Sequence, residues 1–120
     1  MRPLMLGYLR MLPEMDGQEL EDARRQMSEL AAQEGFALAE VFVEREWLHG
    51  TALDGLVAYA RRHQVRHVVV PSTPHLHTVP SLAFIAQVVM QEAVGGLVWV
   101  AQVTQEETAS VRALLDARPL

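Results

Sequence analysis

At 120 residues and 13.4 kDa, the chain is long enough for one packed core and too short for two domains of ordinary size. Half of its residues are hydrophobic and 21% are charged, a balance that excludes a disordered tail, a collagen-like rod and a coiled coil. A net charge of −5 gives no overall attraction for a phosphate backbone, and the lack of cysteine removes disulfides, thiolate metal sites and a cysteine nucleophile.

In chain order, residues 3–9 (P-L-M-L-G-Y-L) read as a short apolar strand. Residues 16–34 read as an amphipathic helix: Asp16 at the N-cap with Glu19 three residues on, then Leu20, Ala23, Met27, Leu30 and Ala31 on one face, and Gly35 as the stop. Residues 36–43 return to strand. Thr51 with Asp54 suggests a second capping pattern, before a helix carrying Leu53, Leu56, Val57 and Ala60 inward. His67 to Val70 is apolar enough to be a strand buried on both faces, as in a parallel sheet.

Residues 71–80 hold three prolines and read as a loop. Pro80 and Ser81 then open a helix with Leu82, Ile85, Ala86 and Val89 expected inward. Gly95-Gly96 end it, and residues 97–103 form the last strand. Thr104 with Glu107 caps a final helix carrying Val111, Leu114 and Leu115, which either packs on its own sheet or mediates oligomerisation. Strands alternating with helices predict one α/β domain over residues 1–120, a three-layer sandwich around a mainly parallel sheet with right-handed crossovers. No apolar run approaches the ~20 residues of a membrane span, and no secretory leader is recognised. A cytoplasmic protein with no membrane association is expected.

Ligands of such a sheet bind beyond the carboxyl ends of its strands. Four loops meet there: residues 10–15, 44–50, 72–79 and the turn at Thr104. A site is therefore expected to draw on Arg10, Glu44, Arg45, His49, Ser72, His75 and His77. The first loop, Arg10-Met11-Leu12-Pro13, lacks the glycines with which Rossmann and P-loop sites approach phosphate. The acidic pair and strand-end aspartate of a receiver domain are also missing. His75-Leu76-His77 with Glu44 could supply three metal ligands, the basis for a metal-dependent enzyme as one alternative, although surface histidines are the simpler reading. A Ser72, His75 and Glu44 triad lacks the glycine-rich nucleophile turn. No cofactor is expected.

All ten basic residues are arginine. Residues 1–46 carry ten acids against five arginines, whereas residues 47–80 carry Arg61, Arg62, Arg66 and all five histidines against Asp54 alone. His63 and His67 lie beside these arginines, near a helix end whose dipole favours positive charge. Tyr8, Phe36, Phe42, Tyr59 and Phe84 fall at positions that read as core, and Trp99 lies within the last strand. Trp47, in a polar loop, either folds under the sheet edge or contacts a partner.

Taken together, the order of elements and several motifs resemble the catalytic domain of the serine recombinases (resolvases and invertases). The resemblance runs over residues 3–103. It rests on Tyr8-Leu9-Arg10, on Glu34-Gly35-Phe36 after the first helix, and on Val41-Phe42-Val43-Glu44. A helix of the Leu53 to Arg62 type, Val68-Val69-Val70, Leu76 and Gly95-Gly96-Leu97-Val98 complete it. Such domains cut DNA with a serine hydroxyl two residues after the first-strand arginine, the phosphate being held by further arginines. Here that position is Leu12, followed by Pro13. The family's Leu-Asp-Arg-Leu-x-Arg segment aligns with Thr73 to Thr78, where the aspartate and both arginines are replaced. The arginine before the second helix aligns near Gly50. Arg10 and Glu44 are the remnants of the catalytic set.

The resemblance thus implies a pseudoenzyme: a resolvase-like domain, without a separate DNA-binding domain, serving as a protein-interaction or regulatory module. Trp47 and Met11 are candidate contacts with a protein partner or a second copy. The alternative is an accessory recombination subunit that binds DNA weakly through Arg10, Arg61, Arg62 and Arg66.

Overall fold

The computed structural model describes residues 2–45 and 50–102. Four strands, β1 (Leu4–Arg10), β2 (Ala37–Glu44), β3 (His67–Val70) and β4 (Leu97–Val100), form one sheet in the order β2-β1-β3-β4, all parallel. Helices α1 (Gly17–Gln33), α2 (Thr51–His63) and α3 (Pro80–Val94) connect them, and a single 3-10 turn spans Thr73–His75. The three-layer reading holds. One core, with Met5, Leu9, Met27 and Val69, lies between the sheet and α1. The other, with Leu6, Tyr8, Leu56, Val68 and Val70, lies under α2 and α3. Val68, Val69 and Val70 are fully buried, because alternate side chains of a central parallel strand enter opposite cores.

Helix α1 forms as its pattern requires. The Asp16 carboxylate accepts the Glu19 amide at 2.8 Å, and Ala23, Met27 and Ala31 are its buried stripe. The other two helices depart from expectation. At α2 the N-cap is Gly50, in a left-handed conformation, and no side chain of the Thr51–Asp54 pattern caps the helix. The carboxylate of Glu44, arriving from β2, takes that place by accepting the Ala52 and Leu53 amides at 3.3 and 3.2 Å.

At α3 the inward residues are Ala83, Met90 and Val94, with Ala86 half-buried. Leu82, Ile85 and Val89, expected inward, are exposed, as is Phe84 at 69%. The helix is apolar on nearly every side, so periodicity could not say which stripe faces the sheet. Its inner stripe packs against β4, α2 and the Thr73–His75 turn.

Gly95 ends α3 with φ at +70°, a cap conformation that favours glycine. Gly96 is required by proximity, since a Cβ there would collide with the Arg66 carbonyl. Strand β4 ends at Val100, not at residue 103, and only Ala101 and Gln102 beyond it are described. The cap at Thr104, the helix with Val111, Leu114 and Leu115, Trp47 and His49 lie outside the described residues.

Candidate functional site

Strand β1 occupies the middle of the sheet, with β2 on one side and β3 on the other. The chain therefore reverses its winding between β1 and β3, the position where open parallel sheets form ligand crevices. Arg10 ends β1 and pairs in register with Glu44, the end of β2. His75 comes from the turn after β3. These three residues meet around Tyr8.

The Tyr8 hydroxyl lies 3.3 Å from both Arg10 Nε, which donates to it, and Glu44 Oε2, to which it donates. Glu44 is only 4% exposed, and it passes this chain of bonds on to the amides of Ala52 and Leu53. The result is a continuous polar path from the Arg10 guanidinium through a phenol and a carboxylate to the positive end of α2. A carboxylate in that place is held by two backbone donors and the helix dipole. Burial pushes the Tyr8 hydroxyl above its ordinary pKa, with Glu44 adding to the rise and Arg10 opposing it. Tyr8 is accordingly a neutral donor at physiological pH.

His75 is 3% exposed, not the surface histidine expected. Its Nδ1 accepts the Arg10 amide at 3.1 Å, joining the loops after β1 and β3 across the switch point. Burial lowers its pKa to about 4, and the Arg10 charge acts in the same direction. A neutral imidazole whose Nδ1 is already an acceptor supplies no positive charge to a phosphate.

Other expected residues are not drawn into the group. His77 is partly exposed and its Nδ1 accepts the Val79 amide at 3.0 Å. Ser72 precedes the 3-10 turn without a side-chain cap bond. Arg45 is exposed, whereas Met11 and Leu12 are partly exposed. Among the described residues, no three His, Cys, Asp or Glu side chains gather so as to hold a metal ion. The trio His75, His77 and Glu44 does not assemble, because each is engaged elsewhere: His75 with the Arg10 amide, His77 with the Val79 amide of its own loop, and Glu44 with Tyr8 and α2.

The candidate DNA-contacting arginines are divided. Arg10 stands at the carboxyl edge of the sheet. Arg61 and Arg62 lie in the last turn of α2, and Arg66 immediately precedes β3, at the amino edge. The helix between the two groups is about 20 Å long. His67, read as structural, accepts the Trp99 indole N–H at 3.2 Å and packs against Phe36 with ring centres 4.5 Å apart and planes tilted by 44°.

A groove of about 530 Å³ runs from Arg10 and Tyr8 between α2 and α3 towards Arg61, with Val57, Leu76 and Val89 among its walls. Two features went unread in the sequence. One is the glutamine pair of α3: Gln87 Nε2 donates to the Val98 carbonyl at 3.0 Å, and Gln91 Oε1 accepts the Val98 amide at 3.1 Å. Their i, i+4 spacing was the available signal. The other is the exposed outer face of α3, signalled by a helix with Glu92 as its only charge.

No protein-family model matches the chain, and no curated protein matches it. Solved structures do. The C-terminal catalytic domain of ISC1926 TnpA, an IS607-like serine recombinase, superposes with a TM-score of 0.66 at 16% identity, over 94% of this chain and 77% of that one. The N-terminal catalytic domain of TP901-1 integrase gives 0.63 at 8% identity, over 94% of this chain and 92% of that one. The fold is that of serine recombinase catalytic domains.

Proposed function

We propose that this chain, folded as a serine recombinase catalytic domain, is a catalytically inactive member of that group acting as a protein-interaction or regulatory module. The observation that carries the reading is the occupancy of the carboxyl edge. Leucine and proline stand where the resemblance puts the nucleophile, and a leucine side chain cannot attack phosphorus. The groups that remain are committed to structure: Glu44 caps α2, Tyr8 bridges Arg10 to Glu44, and His75 is neutral and bonded to the Arg10 amide. Phosphoryl transfer depends on several positive groups held against the phosphate, and Arg10 alone of the aligned arginines is retained.

Met11, at this edge, and Trp47, which the sequence puts in the loop after β2, are the proposed partner contacts. The test uses untagged protein and nicked, mismatched duplexes of randomised sequence, run on denaturing gels. No covalent protein–DNA adduct is the expected result; any adduct that survives denaturation overturns the inactive reading.

A second reading, an accessory recombination subunit, draws on Arg61, Arg62 and Arg66, which are exposed and form no ion pair with another described residue. Fluorescence anisotropy of labelled duplex DNA at low and moderate salt separates the two. Binding that falls steeply with salt and is lost in Arg62→Glu/Arg66→Glu supports the accessory subunit. No binding at low salt supports the protein-partner module.

A further inference from the structure

We propose that the groove between α2 and α3 is a small-molecule site for a linear amphipathic carboxylate, its carboxylate on Arg61 and its alkyl chain lying towards Tyr8. This site goes beyond the interaction-module reading, which concerns the carboxyl edge of the sheet, and does not depend on it. At about 530 Å³ the groove is of the size that takes small organic ligands. Its middle is walled by Val57, Leu76, Ala86, Val89 and Met90. None of these side chains carries a nitrogen or oxygen, so the part of a ligand lying there is itself apolar. Val89 is 58% exposed, and filling the groove withdraws apolar surface of this kind from water.

The two ends of the groove differ in charge, and this sets the direction of the ligand. Arg10 and Asp54, of opposite sign, line the end at the carboxyl edge of the sheet. The Tyr8 hydroxyl there already donates to Glu44 and accepts from Arg10, so its one proton is committed. At the other end stands Arg61, and Asp54 is the only acidic residue among the groove's walls. The Arg61 Nε donates to the Ala93 carbonyl at 3.2 Å, tying the guanidinium across to α3, and no described carboxylate forms an ion pair with it. A guanidinium held through Nε keeps its two terminal nitrogens for the paired hydrogen bonds that a carboxylate accepts. The α2 wall from Leu53 to Arg61 is about 12 Å long. An extended alkyl chain, advancing about 1.3 Å per carbon, spans it with about ten carbons.

The experiment is isothermal titration of the full untagged chain with sodium decanoate, kept far below its micelle concentration, with thermal unfolding as the folding control. Wild type is expected to bind one decanoate per chain, with a Kd on the order of 10–100 µM. Octanoate is expected to bind about tenfold more weakly, and hexanoate about tenfold more weakly again, for two methylenes lost at each step. Decyltrimethylammonium, of the same length and opposite charge, is expected to bind at least tenfold more weakly than decanoate. Arg61→Gln is expected to weaken decanoate about tenfold without lowering Tm. Ala58→Phe, at an exposed position of the α2 wall, is expected to fill the groove and abolish binding, again without lowering Tm.

No saturable binding of decanoate up to about 1 mM overturns the proposal, while leaving the interaction-module reading, tested by adduct formation, as it stands. Equal binding of decanoate and decyltrimethylammonium, or decanoate binding unchanged in Arg61→Gln, overturns the placement of a carboxylate on Arg61. An affinity that is independent of chain length, or that survives Ala58→Phe, places the ligand outside the groove and also overturns it. Acetyl-trileucine, an apolar peptide with a free carboxylate, is the competing occupant. Binding of this peptide where decanoate fails assigns the groove to a protein end and overturns the small-molecule site.

Discussion

His75 is chemically constrained by its setting more than by its type. The imidazole accepts an amide at Nδ1 and cannot do so once protonated. Its folded pKa of about 4 lies below the 6.5 of the unfolded chain, so between those values the unfolded state binds the extra proton. Its contribution is fully present above pH 6.5 and falls away as the pH drops to 4, by about 3 kcal/mol over the whole interval. Urea unfolding at pH 7 and pH 4.5 should show this loss in wild type. In His75→Asn, which retains an acceptor but does not titrate, the loss should be smaller. The sequence named His75 as a candidate for the right edge of the sheet, but as a surface or metal-binding group. Burial and the Arg10 amide decided otherwise, and neither is visible from His75-Leu76-His77 alone.

At the scale of elements, the helices show how far local pattern reaches. Helix α1 carries its own cap, and its limits were read to within a residue or two. Helix α2 borrows its cap from β2, eight and nine residues away along the chain. Glu44→Ala should leave the Tyr8 hydroxyl and two helix amides without their acceptor and cost about 2 kcal/mol, with Glu44→Gln costing less; chemical denaturation measures both. Helix α3 fits against the sheet through Ala83, Met90 and Val94, and its exit depends on Gly96 lying against Arg66. Gly96→Ala should destabilise by ~3 kcal/mol through that collision. A melting curve for Gly96→Ala that matches wild type would mean the β3–β4 junction yields more readily than its geometry indicates.

For the whole molecule, charge placement governs what can be bound. The net charge is −5, and Arg10 and Arg61 lie along one groove while Arg62 and Arg66 are exposed towards the amino edge, so the positive groups are spread out and not gathered into one strong patch. At 150 mM salt, anisotropy should register no specific complex with duplex DNA. Any weak binding at low salt should show a shallow slope, reflecting two or three phosphate contacts. The described residues contain no helix long and apolar enough to cross a membrane. Among the described residues, the molecule displays an apolar face on α3, beside β4, whose Val98 N–H and C=O are bonded to Gln91 and Gln87.

The sequence by itself determined the alternation of strands and helices, the parallel sheet and the edge at which Arg10, Glu44 and His75 meet. Each of these follows from short-range periodicity and from the rule that parallel strands present their carboxyl ends together. Only the tertiary structure decided that Glu44 caps α2, that His75 is buried and neutral, and which stripe of α3 faces inward. Those outcomes depend on contacts between residues distant along the chain, and for α3 on an apolar pattern that several helix rotations satisfy equally well until the sheet selects one.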